Sequence, residues 1–235
     1  MNIVNKIFKV ILASTVLLPF SASLAFADGE CAEAEFGQVK RENSKHFVCD
    51  PDMKIWRSAT RMEISLSKSC TSRNLEEKMS LKNVELVCTK DDWEGFFVDS
   101  RDKRKYAVTV INNQIWMKEN LDYEKMFGIS CKQCDGYHIY DFDDAQKVCP
   151  KDWRLPNLDE WRYVETNGGL ESIANSGLFW SATKAVDPSS IKQGYAADVR
   201  WKWVNDGADR VQKFFVMRQT LPRRNGYPVR CLTDR

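Results

Sequence analysis

Eight cysteines, at positions 31, 49, 70, 88, 131, 134, 149 and 231, all follow an N-terminal segment with the layout of an export signal. Lys6 and Lys9 lead into an apolar run from Val10 to Phe20, and Ala25-Phe26-Ala27 offers a small-x-small cleavage site before Asp28. The run is too short to span a bilayer comfortably, so residues 1–27 are expected to be a removed signal peptide. Cys31 follows Asp28-Gly29-Glu30 rather than small apolar residues, so no lipid anchor is expected. An even number of cysteines in an exported chain reads as disulfides rather than metal ligands. Eight allow 105 pairings, which only spacing can narrow.

The spacing carries a repeat. Cys31 to Cys49 and Cys70 to Cys88 are both intervals of 18 positions. Each second cysteine closes a strand-like run, His46-Phe47-Val48-Cys49 or Glu85-Leu86-Val87-Cys88. A polar turn and a tryptophan follow, Asp50-Pro51-Asp52 before Trp56 and Lys90-Asp91-Asp92 before Trp93. We read two small modules, over 28–60 and 61–97, each a β-hairpin stapled by its own bridge. Units this short bury little core, and a disulfide offsets that shortfall.

Charge excludes some partners. Loss of the leader removes two lysines and no acids, leaving 33 basic against 33 acidic residues. A neutral chain has no long-range attraction for nucleic acid or anionic lipid. With 43% hydrophobic and 29% charged residues, it is not a disordered tail. Behind the leader no apolar run is long enough for a transmembrane helix.

Residues 98–235 have a different composition, with six of the eight tryptophans and all seven tyrosines. Lys105–Ile111 alternates and is β-branched, Asn112-Asn113 suits a tight turn, and Gln114–Met117 continues as a second strand. Asp143–Val148 reads as a short helix capped by Asp141 or Asp143 and stopped by Pro150. Asn157-x-x-Glu160 resembles a capping box for a helix ending at Gly168-Gly169. Leu178–Thr183, Ala197–Val204, Gln212–Arg218 and Pro228–Thr233 read as strands. A hairpin, two helices and several antiparallel strands make an α+β domain.

The motifs of this half are specific. They include Asp99-Ser-Arg101-Asp102, Gln114-Ile-Trp116-Met117, Val148-Cys149-Pro150, Trp153-Arg154-Leu155-Pro156, Glu160-Trp161, Gly168-Gly169, Phe179-Trp180-Ser181 and Val229-Arg230-Cys231. In this order they closely resemble the Fibrobacter succinogenes major paralogous domain over 98–235. The Arg-Leu-Pro-x-x-x-Glu-Trp run and the late Gly226-Tyr227-x-x-Arg230 pattern are also similar to formylglycine-generating-enzyme-like proteins. The resemblance implies a C-type-lectin-like fold with short helices and antiparallel strands. It further implies a bridge from Cys149, on the first helix, to Cys231, on the last strand.

Catalytic and metal chemistry find little support. Cys131-Lys-Gln-Cys134 has redox spacing, but the Asp135-Gly136 turn after it favours a structural clip over a thiol activated at a helix N-terminus. Zinc would need Cys149 and Cys231 as further ligands, which an oxidising compartment uses better as a bridge. Asp141, Asp143 and Asp144 could hold calcium, but capping explains them and the glycine-containing loop pattern is missing. Trp203-Val-Asn205-Asp206 imperfectly matches the Trp-Asn-Asp motif of calcium-dependent lectins. The formylglycine-generating chemistry needs a pair of active cysteines, and only Cys231 follows Cys149. No catalytic residue, metal or cofactor is therefore expected.

Aromatic residues supply the candidate binding site. Trp116, Trp153, Trp161 and Trp180 belong to the core motifs. Trp201 and Trp203 share one strand face by period two, beside Tyr195. A core-facing pair is the commoner arrangement, but such a face also suits a sugar ring or a protein partner. Arg218, Arg223 and Arg224 add cationic donors, with a solvated loop as their simpler reading. The expectation is an exported binding or adhesion protein, not an enzyme. Its partner would be a polysaccharide or cell-surface protein, with a plant-wall or cell-surface glycan implied by the resemblance and no calcium required. A formylglycine-generating-like enzyme and a structural envelope protein are the alternatives, and periplasm, outer surface and medium are equally open.

Overall fold

The two cysteine units begin alike and end differently. The structure is a computed structural model describing residues 29–124, 129–130, 138–174, 176–183, 192–207 and 209–235. The expected signal peptide, Cys131 and Cys134 lie outside the described residues. In the first unit a 3-10 turn, Glu33–Glu35, leads to β1 (Val39–Glu42), β2 (Lys45–Asp50) and β3 (Ile55–Ser58), an antiparallel sheet in that order. Asn43 and Ser44, at φ 48° and 64°, make the left-handed turn that a two-residue hairpin requires. Cys31 is bonded to Cys49, and Trp56 lies directly across the strands from Cys49. Phe47 and Phe36 complete this small core.

The helix α1 (Arg61–Leu66) joins the units. Thr60 caps it, accepting from the Glu63 amide, while the Glu63 carboxylate accepts from the Thr60 amide. The second unit then repeats the first with a 3-10 turn, Ser72–Asn74, and strands β4 (Lys78–Leu81), β5 (Val84–Cys88) and β6 (Trp93–Val98). Cys70 is bonded to Cys88, and Trp93 lies across from Cys88 as Trp56 does from Cys49. The correspondence reaches single hydrogen bonds. The Gly37 amide donates to Cys49 O at 2.8 Å, and the Glu76 amide donates to Cys88 O at 2.9 Å. Gly37 and Glu76 both have positive φ, 80° and 63°.

The outer strands decide the difference. The edge of β3 is covered by Gly29 and Glu30, where Glu30 bridges to Ile55 and the Trp56 amide donates to Gly29 O. The edge of β6 is instead taken by β7 (Lys105–Ile111), which pairs with β8 (Gln114–Met117). The result is a six-stranded antiparallel sheet, β14-β8-β7-β6-β5-β4, with β14 at Leu232–Asp234. This corrects the expectation of two separate hairpin modules. The first is a three-stranded sheet, and the second forms one sheet with the elements after residue 97. A free edge strand seeks a partner, and β7 is the next strand in the chain.

The remaining elements pack on both faces of this sheet. After β9 (Ile129–Ser130) and β10 (His138–Ile139) come α2 (Phe142–Ala145), α3 (Leu158–Thr166) and α4 (Leu170–Ile173). A second, three-stranded sheet follows, β11-β12-β13, from Gly177–Trp180, Gln193–Asp206 and Asp209–Pro222. Val108, Val110, Ile115 and Met117 face one core with Phe142, Trp153 and Trp180. Ile111 and Trp116 face another, with Trp161 and Phe179. Trp116, Trp161 and Trp180 are fully buried. The architecture is α+β, with mostly antiparallel sheets and few, short helices.

Several boundaries differ from expectation. The helix expected to carry Cys149, α2, ends at Ala145, so Cys149 sits beyond it in a bend, bonded to Cys231. Pro228 has no amide to give a ladder, and Pro228–Cys231 is held piecemeal instead. Pro228 O accepts from the Trp180 amide, Val229 O from the Leu121 amide and Cys231 O from the Met117 amide. The two late strands run much further than sequence reading suggested, 14 residues each.

Candidate functional site

The long hairpin of β12 and β13 carries the candidate residues, and its base is firmly set. Ala196, Ala197 and Val199 are buried. Asp198, 6% exposed, accepts from Arg200 at 2.9 Å and from the Gln219 amide group at 3.1 Å. Gly194 lies against the ring of Phe142, where no side chain would fit. On the opposite edge, the Val216 amide donates to the Glu165 carboxylate of α3 at 3.0 Å.

The hairpin then outruns its supports. β11 begins at Gly177, opposite Val199, so among the described residues no third strand pairs with β12 from Arg200 to Asp206. Pairing continues as a two-stranded ribbon, through Trp201 with Phe214 and Trp203 with Gln212, to the turn at Gly207, φ 63°. An antiparallel pair places directly opposed side chains on one face. Trp201 and Trp203 therefore share a face with Phe214. Their rings meet edge to face, centroids 6.0 Å apart at 84°, and remain 44% and 51% exposed. The core-facing arrangement, the commoner one for such a pair, is not adopted.

Tyr195 and Arg218 form a second pair on the same ribbon face. The guanidinium sits 5.3 Å from the ring centroid, in cation–π range. Tyr195 is six residues from Trp201, roughly 20 Å along the strand. Ala197 and Val199 lie between them, buried in the core beneath α3. The structure thus brings Trp201 to Trp203 and Tyr195 to Arg218, and holds the two pairs apart.

Sequence reading missed other cations of the ribbon, of which Arg210 shares the tryptophan face and Lys202 and Lys213 the opposite one. Arg210 stands over Trp203 at 5.5 Å, and Lys202 over Phe215 at 5.5 Å. Lys202 and Lys213 are directly opposed across the strands. The usable signal was the Asn205-Asp206-Gly207 turn, since a register mirrored about it predicts these pairings.

The other candidates have structural work. Asp141 caps α2, accepting from the Asp144 amide at 2.9 Å, and Asp143 is ion-paired with Arg223. They line a cavity of about 570 Å³ with Lys192 and Arg224. Asn205 and Asp206 lie exposed at the hairpin end. His138 is held by Asp122, which also pairs with Arg104. Asp99, fully buried, is bound by Arg101, which also donates to Val148 O. The Cys231 thiol is consumed by its bond to Cys149, and among the described residues no cysteine is free.

No protein-family model, curated protein or solved structure matches this chain.

Proposed function

We propose that this is an exported, disulfide-stapled binding protein that recognises a glycan through the aromatic face of the β12–β13 ribbon, without calcium. The observation that carries the reading is the exposure of Trp201 and Trp203 on a rigidly based hairpin. Large aromatic side chains are ordinarily buried, and a free two-stranded ribbon is marginal in water. Rings left open at such a place suit the apolar faces of sugars. Export is supported by three disulfides among the described residues, where no helix is long and apolar enough to cross a membrane.

A C-type-lectin-like domain of the Fibrobacter succinogenes major paralogous kind is the finer fold reading. It draws support from the order of elements: the β7–β8 hairpin, the helices α2 to α4, a long hairpin, and β14 returning beside β8. The clasp from Cys149 to Cys231 is the bridge that the resemblance implies. Recognition by an element projecting from a rigid frame is how such scaffolds serve binding.

The test is binding of the purified, disulfide-bonded protein to soluble glycans and insoluble polysaccharides, with calcium and with chelator. Selective binding is expected to survive the chelator. Trp201→Ala and Trp203→Ala should each weaken it at least 10-fold, about 1.4 kcal/mol, the range of an interface anchor. Absence of binding across the panel overturns the glycan reading, and loss in chelator overturns the calcium-independent form of it.

A further inference from the structure

Among the described residues, the outer part of β12 has a strand on one side only. Along an antiparallel strand, the backbone groups of successive residues point alternately to its two sides. Tyr195 O accepts from the Ser181 amide at 3.0 Å, on the side of β11, where Ala197 and Val199 pair with Phe179 and Gly177. Odd-numbered residues of β12 therefore turn their amides and carbonyls to that side. Past Val199 the same alternation aims the backbone of Trp201 and Trp203 into the track that β11 leaves unfilled. The β13 edge differs, since its Val216 amide is taken by the Glu165 carboxylate.

The two faces along this open edge differ in chemistry. Trp201 and Trp203 stand on one, Arg200 and Lys202 on the other. Arg200 is answered by Asp198 in a 2.7 Å ion pair. Lys202 rests over Phe215 instead, and among the described residues neither it nor Lys213, directly opposite, has a carboxylate partner. Like charges at directly opposed positions are destabilising, so this pair costs the free protein stability.

We propose that the β12 edge takes up an extended segment of a partner protein as an added strand, one in which acidic residues alternate with apolar ones. The segment's backbone bonds to Trp201 and Trp203, its carboxylates lie beside Lys202, and its apolar side chains lie beside the two indoles. Successive side chains of a strand point to opposite faces, so an alternating segment matches rings on one face and lysines on the other. The strand lies beside the ribbon rather than over its indole face, so it does not depend on the glycan reading. Other occupants fit less well. Lysine at an edge turns away basic and purely apolar strands. A second copy adding its own β12 crowds Arg200 and Lys202 onto one face with their counterparts. A membrane or nucleic acid is drawn by the net field of a protein, and this chain without its leader is balanced at 33 basic and 33 acidic residues.

The experiment uses the full disulfide-bonded protein and three short synthetic peptides: glutamate alternating with valine, the same residues in two blocks, and lysine alternating with valine. The first is expected to bind about 10-fold more tightly than either of the others, or better. It should slow hydrogen exchange at the Trp201 and Trp203 amides, and weaken as sodium chloride is raised. Lys202→Glu with Lys213→Glu should transfer the preference to the lysine peptide. Equal affinity for the alternating and blocked peptides overturns the proposal, as plain charge attraction. Binding that leaves exchange at Trp201 and Trp203 unchanged overturns it by placing the peptide elsewhere, and so does absence of binding by all three. Slowed exchange at those amides in the protein alone, as its concentration rises, gives the edge to a second copy and overturns it. Equal affinity for phosphatidylglycerol vesicles overturns it in favour of a membrane. If the double variant fails to fold, the peptide comparison on the unaltered protein still decides.

Discussion

Arg57 and Glu63 meet through two parallel hydrogen bonds of 2.8 Å each, with the carboxylate fully buried and the guanidinium side chain 22% exposed. The pair joins three parts of the chain. Arg57 lies on β3 of the first unit and also binds Asp50 and Cys70 O. Glu63 lies on α1 and accepts from the amides of Thr60 and Cys70, the latter in the second unit. Every acceptor position of the carboxylate is used, as a buried charge requires.

Removing one partner strands the other. Glu63→Gln or Arg57→Met should each cost about 3–5 kcal/mol, the usual penalty for breaking a buried pair from one side. Denaturant unfolding should show the double variant costing less than the sum of the singles. Additive costs would mean that the pair does not couple the units.

The same carboxylates set the acid limit. Burial pushes the Glu63 carboxyl up, but the Arg57 guanidinium and the Cys70 and Thr60 amides more than offset this, leaving its pKa below 4.5. Asp50 behaves alike: burial raises it, and the Met53 amide, Arg57 and the Asp52 amide together bring it below 3.8. A lowered carboxylate pKa contributes stability that is present above the unfolded value and is lost as pH falls through the folded one. Unfolding free energy should therefore decline as pH falls below 4.5, and less steeply in Glu63→Gln. Asp92 has the opposite sign, since burial raises it above 3.8, so Asp92→Asn should raise the thermal midpoint at neutral pH and lose that gain below 3.8.

Gly194 sets the root of the ribbon. Its backbone lies against the Phe142 ring, which packs edge to face on Trp180 at 5.3 Å. Gly194→Ala must displace that ring and should cost about 1–3 kcal/mol, the range for overpacking a core. Thermal melting measures the loss, and an unchanged midpoint would show that Phe142 moves freely.

The bridge from Cys149 to Cys231 closes the longest loop, with a sequence separation of 82. The chain-entropy model assigns it about 4.5 kcal/mol, against about 3 kcal/mol for each bridge of the two N-terminal units. Cys149→Ala with Cys231→Ala should therefore lower stability more than Cys31→Ala with Cys49→Ala, as measured by denaturant titration. The reverse order would mean that native packing, not loop closure, dominates.

The repeat, the β7–β8 hairpin and the α3 capping box could all be read from the chain, because each rests on local chemistry. Two cysteines 18 residues apart, with a tryptophan after the turn, specify a stapled hairpin and place the ring opposite the bridge. Asn157 and Glu160, three residues apart, exchange capping bonds at 2.9 and 2.8 Å. The tryptophans of the motifs were legible as core for the same reason of pattern.

The fate of the repeated units and the exposure of the ribbon belong to the tertiary structure. Equivalent third strands, β3 and β6, end in different sheets because one edge is covered by Glu30 and the other is left for β7. The alternation that puts Trp201 and Trp203 on one face is the same alternation that buries Ala197 and Val199. Sequence determined which side chains share that face. Only the position of β11, which pairs with β12 no further than Val199, decided which of them meet the core and which are left to water. Periodicity is local, whereas burial depends on what else the chain brings alongside.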